Sequence, residues 1–159
     1  MKPIYLDYQS TTPTDNNVLK KMMPFFSDVY GNPHSSNHSF GASASQAIDL
    51  SRKVIASVIG ADKSEIIFTS GATESNNLAI KGAFLYRYKY QNRKKIIIAA
   101  TEHKCVIEAS KSLISLGAEV IIIEVNKEGK LDLERLKSII NEDVAIVSVM
   151  LANNEIGVI

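Results

Sequence analysis

Residues 94–125 read KKIIIAATEHKCVIEASKSLISLGAEVIIIEV, and this stretch decides the fold. Apolar runs at 96–100 and 119–125 flank a segment of helical spacing that opens near His103, reaches Leu116 and stops at Gly117. Runs of β-branched residues set between helices mark strands covered on both faces, and such strands belong to a mainly parallel sheet.

The same alternation extends outward in both directions. Downstream, Asp132 caps a helix through Leu133, Leu136 and Ile140, and residues 144–151 read as a further strand. Upstream, residues 66–69 read as a short strand, and Ser70-Gly71-Ala72-Thr73 opens a helix running to about Tyr88. The class is therefore α/β, with a mainly parallel sheet of about four strands and flanking helices. Before it, a helix starting at about Phe40 carries Ala44, Ala47, Leu50, Val54 and Val58 on one stripe and ends at Gly60. Residues 30–39 form a loop rich in Gly, Asn, Pro, Ser and His. Asp15 caps a first helix whose expected buried side is Val18, Met22, Phe25 and Phe26, with Pro24 kinking or ending it. Residues 1–14 read as an extended arm with a turn at Thr11-Thr12-Pro13.

Composition narrows the function classes. The 159 residues are 45% hydrophobic and 22% charged, which excludes wholesale disorder and a fibrous repeat. A chain of this length makes one domain that buries about 70% of its unfolded surface. Eighteen basic against 17 acidic residues leave a net charge of +1, so no global field favours nucleic acid. The run Lys81, Arg87, Lys89, Arg93, Lys94 and Lys95 reads as a solvated helix face and its C-terminal turn. Cys105 is the single cysteine, so neither an intrachain disulfide nor a CxxC metal site is available. His34 and His38 have helical spacing but no third ligand nearby, and no metal is expected. The longest apolar run, 144–152, is about half of a ~20-residue membrane span. With no signal-peptide core and a first arginine only at Arg52, a cytoplasmic address is expected. The sequence leaves its last strand through residues 153–159, where a further helix usually covers the edge, so truncation is expected.

Ligands of open parallel sheets gather outside the carboxyl ends of the strands. Three polar groupings fall there. Gly71-Ala72-Thr73-Glu74 offers small residues and a helix N-terminus to an anion, with the Thr73 hydroxyl as a further donor. It is neither GxGxxG nor a P-loop, and taken alone it is more simply a helix start capped by Ser70. His103 is either a helix-start residue or an imidazole that stacks on, and exchanges protons beside, a planar ligand. Asn153-Asn154 is either turn material or an amide for a ligand oxygen. Cys105 follows His103 by two positions, and helical residues so spaced point apart, so no direct thiol–imidazole pair is expected.

Five segments now stand together: Ile4-Tyr5-Leu6-Asp7-Tyr8 with Thr11-Thr12-Pro13, Gly31-Asn32-Pro33 with His38, the run from Phe68-Thr69-Ser70-Gly71-Ala72-Thr73 to Leu78-Ala79, Thr101-Glu102-His103-Lys104, and Asn153-Asn154-Glu155-Ile156-Gly157. In this order they closely resemble the N-terminal portion of the NifS/IscS-type cysteine desulfurases, fold-type I enzymes of class V that use pyridoxal 5'-phosphate. The resemblance implies an arm at 1–14 and an incomplete cofactor-binding large domain at 15–159. It implies that Ala72 and Thr73 hold the cofactor phosphate, that His103 stacks on the pyridine ring, and that Asn154 bonds the ring's phenolic oxygen. It further implies a reaction that takes sulfur from L-cysteine, leaving alanine and an enzyme persulfide for iron–sulfur cluster assembly. The implied partners are a second copy of the chain or a complementary C-terminal half, and sulfur-accepting scaffold proteins, with neither nucleic acid nor membrane.

The family's Asp for the ring nitrogen, its Ser-x-His-Lys lysine and its persulfide-forming cysteine fall after residue 159, and Cys105 does not match that last motif. The helix-terminus contact is worth up to ~2 kcal/mol and each hydrogen bond to a charged group ~1.5–3 kcal/mol, against ~4–15 kcal/mol for association. Weak non-covalent cofactor binding and no turnover are therefore expected of these residues alone. Three alternatives remain open: a desulfurase half completed by a separate chain, a non-catalytic relic of a split gene, and a related class V enzyme such as a selenocysteine lyase. Asn154-Glu155-Ile156-Gly157 favours the desulfurase.

Overall fold

In the computed structural model, residues 3–159 are described. They resolve into two compact units, one ending at Phe68 and the other spanning Thr69–Ile159.

The second unit is built on strand β1, Lys95–Ala99. Successive side chains of a strand point to opposite faces. Ile96 and Ile98 therefore enter one core and Ile97 another, and all three are fully buried. Each buried isoleucine contributes about 1.5–3 kcal/mol. β2 (Glu119–Ile123) and β3 (Val144–Ser148) pair with β1 in parallel on either side, giving the order β2-β1-β3. Helices α4 (Ala72–Gln91) and α5 (Lys104–Lys111) cover the first face, supplying Ile80, Phe84, Val106 and Ala109. Helix α6 (Leu133–Ile139), capped by Asp132 as its sequence predicts, sets Leu136 and Ile139 against the other.

The sheet has three strands among the described residues where about four were expected. Residues 66–69 are irregular because a strand needs a hydrogen-bonded neighbour, and none of the sheet's strands pairs with them. The runs also overshoot: β2 ends at Ile123 rather than residue 125, and β3 at Ser148 rather than 151. Nor is every strand covered on both faces. β2 lies at the sheet edge, and Ile122 is 44% exposed. The helix after His103 ends at Lys111, and a 3-10 turn at Ile114–Leu116 leads to Gly117.

The first unit contains α1 (Asn16–Met22), α2 (Pro24–Ser27) and α3 (Ser39–Ile59). Asp15 caps α1 by accepting from the amides of Asn17 and Val18, and Pro24 opens α2 instead of continuing α1. The expected buried side of α1 and α2 is not buried: Val18, Met22, Phe25 and Phe26 are all exposed. On α3 only Gly41, Ala44 and Ala56 are buried, whereas Leu50, Val54 and Val58 of the predicted stripe are exposed. Helical periodicity identifies an apolar face, but burial requires a second surface against it. Gly41 has a steric role, since a Cβ there would run into the carbonyl oxygen of Ser35, so the loop before α3 closes only over a glycine.

Candidate functional site

The site residues all lie in the second unit, at the carboxyl ends of β1 and β3 and at the start of α4. α4 begins at Ala72 with Gly71 as its N-cap, not Ser70. Gly71 has no side chain to bond the first-turn amides, so the helix N-terminus lacks a side-chain cap. A Cβ placed on Gly71 meets nothing within 4 Å, so the approach to those amides is open. Glu74, in the first turn, reaches back: its Oε2 accepts from the Ser70 amide and the Ser70 hydroxyl, each at 2.7 Å. Those two bonds, the backbone one foremost, hold the Glu74 carboxyl below its usual range.

His103 is the N-cap of α5, with extended backbone (φ −59°, ψ 144°). Its Nδ1 accepts from the Cys105 amide at 3.2 Å and lies 3.0 Å from Cys105 Sγ. This corrects the expectation that the thiol and imidazole point apart. The spacing rule applies to residues inside a helix, and His103 stands just outside one. Asn76 of α4 donates to the same sulfur at 3.1 Å, which ties the first turns of α4 to the start of α5.

The third grouping follows β3. Asn153 Nδ2 donates to the Thr101 carbonyl at 3.0 Å, and Asn153 Oδ1 accepts from the amides of Glu155 and Ile156 at 2.9 and 3.0 Å. Asn153 thus builds the turn that carries Asn154 and fastens it to the loop leading into His103. A cavity of about 280 Å³ lies between these loops, lined by Thr101, Glu102, His103, Asn153 and Asn154 among others. His103 and Asn154 therefore share one cavity. Ala72 and Thr73 do not line it; one turn further along α4, the Asn76–Cys105 bond ties that helix to the start of α5.

The sequence assigns no role to Asn76 or Glu102, whereas Asn153 takes the turn role that is one of its two readings. Glu102 is only 8% exposed and accepts from the Ser148 hydroxyl at 3.0 Å, joining the ends of β1 and β3. The available signal for Glu102 was a carboxylate three residues past an apolar buried strand. For Asn76 there was none, because its partner lies 29 residues away.

This is an α/β protein whose His103 and Asn154 candidates lie at the carboxyl ends of parallel strands. It belongs to the aminotransferase class-V family, whose sequence profile matches residues 4–159, and the family cofactor is pyridoxal 5'-phosphate. Among curated proteins it is 52% identical over 158 residues to the cysteine desulfurase IscS of Rickettsia prowazekii (strain Madrid E), covering 99% of this chain and 38% of that one. The solved structure of a NifS-like protein superposes with a TM-score of 0.86 at 39% identity, over 92% of this chain and 40% of the other. SspA in complex with cysteine gives 0.84 at 36% identity, over 95% and 43%. The chain spans about 32–38% of the length of the curated relatives it matches. Among the described residues no helix is long and apolar enough to cross a membrane.

The residues fit a phosphorylated planar group. An uncapped, sterically open helix N-terminus suits a phosphate. An imidazole and a carboxamide face one cavity; the Glu74 and Glu102 carboxylates accept from serine hydroxyls, and Glu155 also lines the cavity.

Proposed function

We propose that these residues form the phosphate-, ring- and oxygen-binding part of the pyridoxal 5'-phosphate site of a cysteine desulfurase acting on L-cysteine. The observation that carries this reading is the sharing of one cavity by His103 and Asn154, in a chain about half identical to such enzymes. In this reading Ala72 and Thr73 offer backbone amides, and Thr73 its hydroxyl, to the phosphate. His103 lies against the ring face and moves protons beside it. Asn154 donates its amide to the ring oxygen, and Asn153 holds that turn in place. Bound there, the cofactor supplies an electron-withdrawing ring that weakens bonds at the amino-acid α-carbon.

The proposed reaction removes sulfur from L-cysteine, leaving alanine and a persulfide destined for iron–sulfur cluster assembly. Its lysine and its sulfur-accepting cysteine match no position within these 159 residues. Residues 15–159 are then part of the cofactor-binding domain and residues 1–14 an arm, completed by a C-terminal portion and by a second copy.

Two measurements test this. Absorbance titration of the 159-residue chain with pyridoxal 5'-phosphate is expected to show weak binding that borohydride does not trap. Thr73→Val and Asn154→Ala each weaken it by about tenfold, the worth of one hydrogen bond to a charged group. Adding the C-terminal portion of a relative is expected to produce sulfide from cysteine under reducing conditions. Affinity indifferent to both substitutions, together with no sulfide at any stoichiometry, sinks the reading.

A further inference from the structure

We infer that Asn76 and Cys105 are positioning residues that set the tautomer and the plane of the His103 ring, an inference that rests on the reading of His103 as the ring-stacking group. Three contacts carry it. The Cys105 amide donates to Nδ1 at 3.2 Å, Cys105 Sγ lies 3.0 Å from that same nitrogen, and Asn76 Nδ2 donates to the sulfur at 3.1 Å. A ring nitrogen that accepts a backbone N–H presents its lone pair and holds no proton. The proton between Nδ1 and Sγ therefore sits on sulfur, and the thiol donates it. A thiolate–imidazolium pair would place a proton on Nδ1 directly against the Cys105 amide hydrogen. Sulfur accepts weakly as well as donating weakly, and Asn76 fills the accepting side from α4.

The result is a relay from carboxamide to thiol to Nδ1 that leaves the ring's single proton on Nε2. Two donors converging on one edge of the imidazole also hold its plane, leaving the faces and Nε2–H for a ligand. His38 provides an internal reference. It caps α3 in the same way, with Nδ1 accepting from the Gly41 amide at 3.2 Å, but no thiol is among its contacts in the described residues.

The test is a two-bond ¹H–¹⁵N correlation of the histidine rings in the full chain without cofactor. His103 is expected as the Nε2–H tautomer, with its Nδ1 resonance displaced from that of His38 by the second donor. Cys105→Ala moves the His103 Nδ1 resonance toward that of His38 and leaves His38 itself in place. Cys105→Ser, which keeps a donor, restores the wild-type position. Wild-type spectra with a proton on Nδ1 of His103 overturn the relay without any variant, and so does Cys105→Ala with unchanged His103 resonances. A pyridoxal 5'-phosphate titration then separates the two claims. Cys105→Ala weakens binding about fivefold and Cys105→Ser less than about twofold, as expected for one hydrogen bond acting through the ring. Resonances that respond while neither Cys105→Ala nor His103→Ala changes affinity leave the relay standing and remove the ring-stacking role.

Discussion

Ser110 shows how one atom sets a local energy. Its residue is fully buried on α5, and its Oγ finds no hydrogen-bond partner among the described residues. A buried hydroxyl left unpaired costs about 1–3 kcal/mol in desolvation. Ser110→Ala is therefore expected to stabilise the protein by about 1 kcal/mol, raising Tm by about 2–4 °C in a thermal melt. An unchanged or lower Tm would mean that the hydroxyl has a partner. Asp49 is the opposite case, a carboxylate with two. Lys53 and Lys63 each donate to it at 2.8 Å, and these bonds, that of Lys53 foremost, pull its carboxyl down to about 2. A folded-state value below the unfolded one stabilises the folded state above the unfolded value, about pH 4, and that stabilisation is lost as pH falls through about 2. Helicity followed by circular dichroism down an acid titration is expected to fall in this window, and to fall less in Asp49→Asn. Because the carboxylate is on the surface, added salt narrows the difference. Superimposable acid titrations of the two proteins would show that the pair contributes nothing.

At the scale of the element, the start of α4 makes structure and binding separable. Gly71 is extended (φ 161°), a conformation open to any residue, and its Cβ direction is unobstructed. Gly71→Asp therefore supplies the missing cap and holds or raises Tm by a few tenths of a kcal/mol equivalent. The same carboxylate occupies the helix mouth and repels a phosphate, so pyridoxal 5'-phosphate affinity is expected to fall by about tenfold or more. Unchanged affinity in a folded Gly71→Asp protein would place the phosphate elsewhere. This element was legible in the sequence because a small-residue helix start after an apolar run is a local signal. The isoleucines of β1 were legible for the same reason, since both faces of that strand are buried by near neighbours. Residues 66–69 carry the same apolar signature yet form no strand, because strand formation depends on a neighbour that no local pattern names. The thiol–imidazole contact was hidden by a single residue of phase: with His103 placed inside α5 the two side chains diverge, and with His103 as its cap they meet.

Across the molecule, burial is distributed unevenly, and this decides where stability resides. In the second unit Phe84, Ile96, Ile98 and Leu113 are sealed within one core. In the first, α3 runs for 21 residues with only two alanines and a glycine buried, while Leu50 is 62% and Val58 79% exposed. Local opening free energy follows buried apolar contact, so backbone amides are expected to exchange in two classes. Amides of β1, and of α4 around Phe84, should be protected longest, with those of α1 to α3 exchanging first. The exposed apolar face of α3 makes the sharper claim, because such a face is stabilised only by a covering surface. Under the proposed function that cover is a second copy of the chain or the C-terminal portion of a relative. Hydrogen exchange read by mass spectrometry, at rising protein concentration and then with that portion added, is expected to slow exchange in α3 while leaving β1 unchanged. Protection of α3 equal to that of β1 in the dilute chain, or indifferent to both additions, would show that the helix is stable without cover.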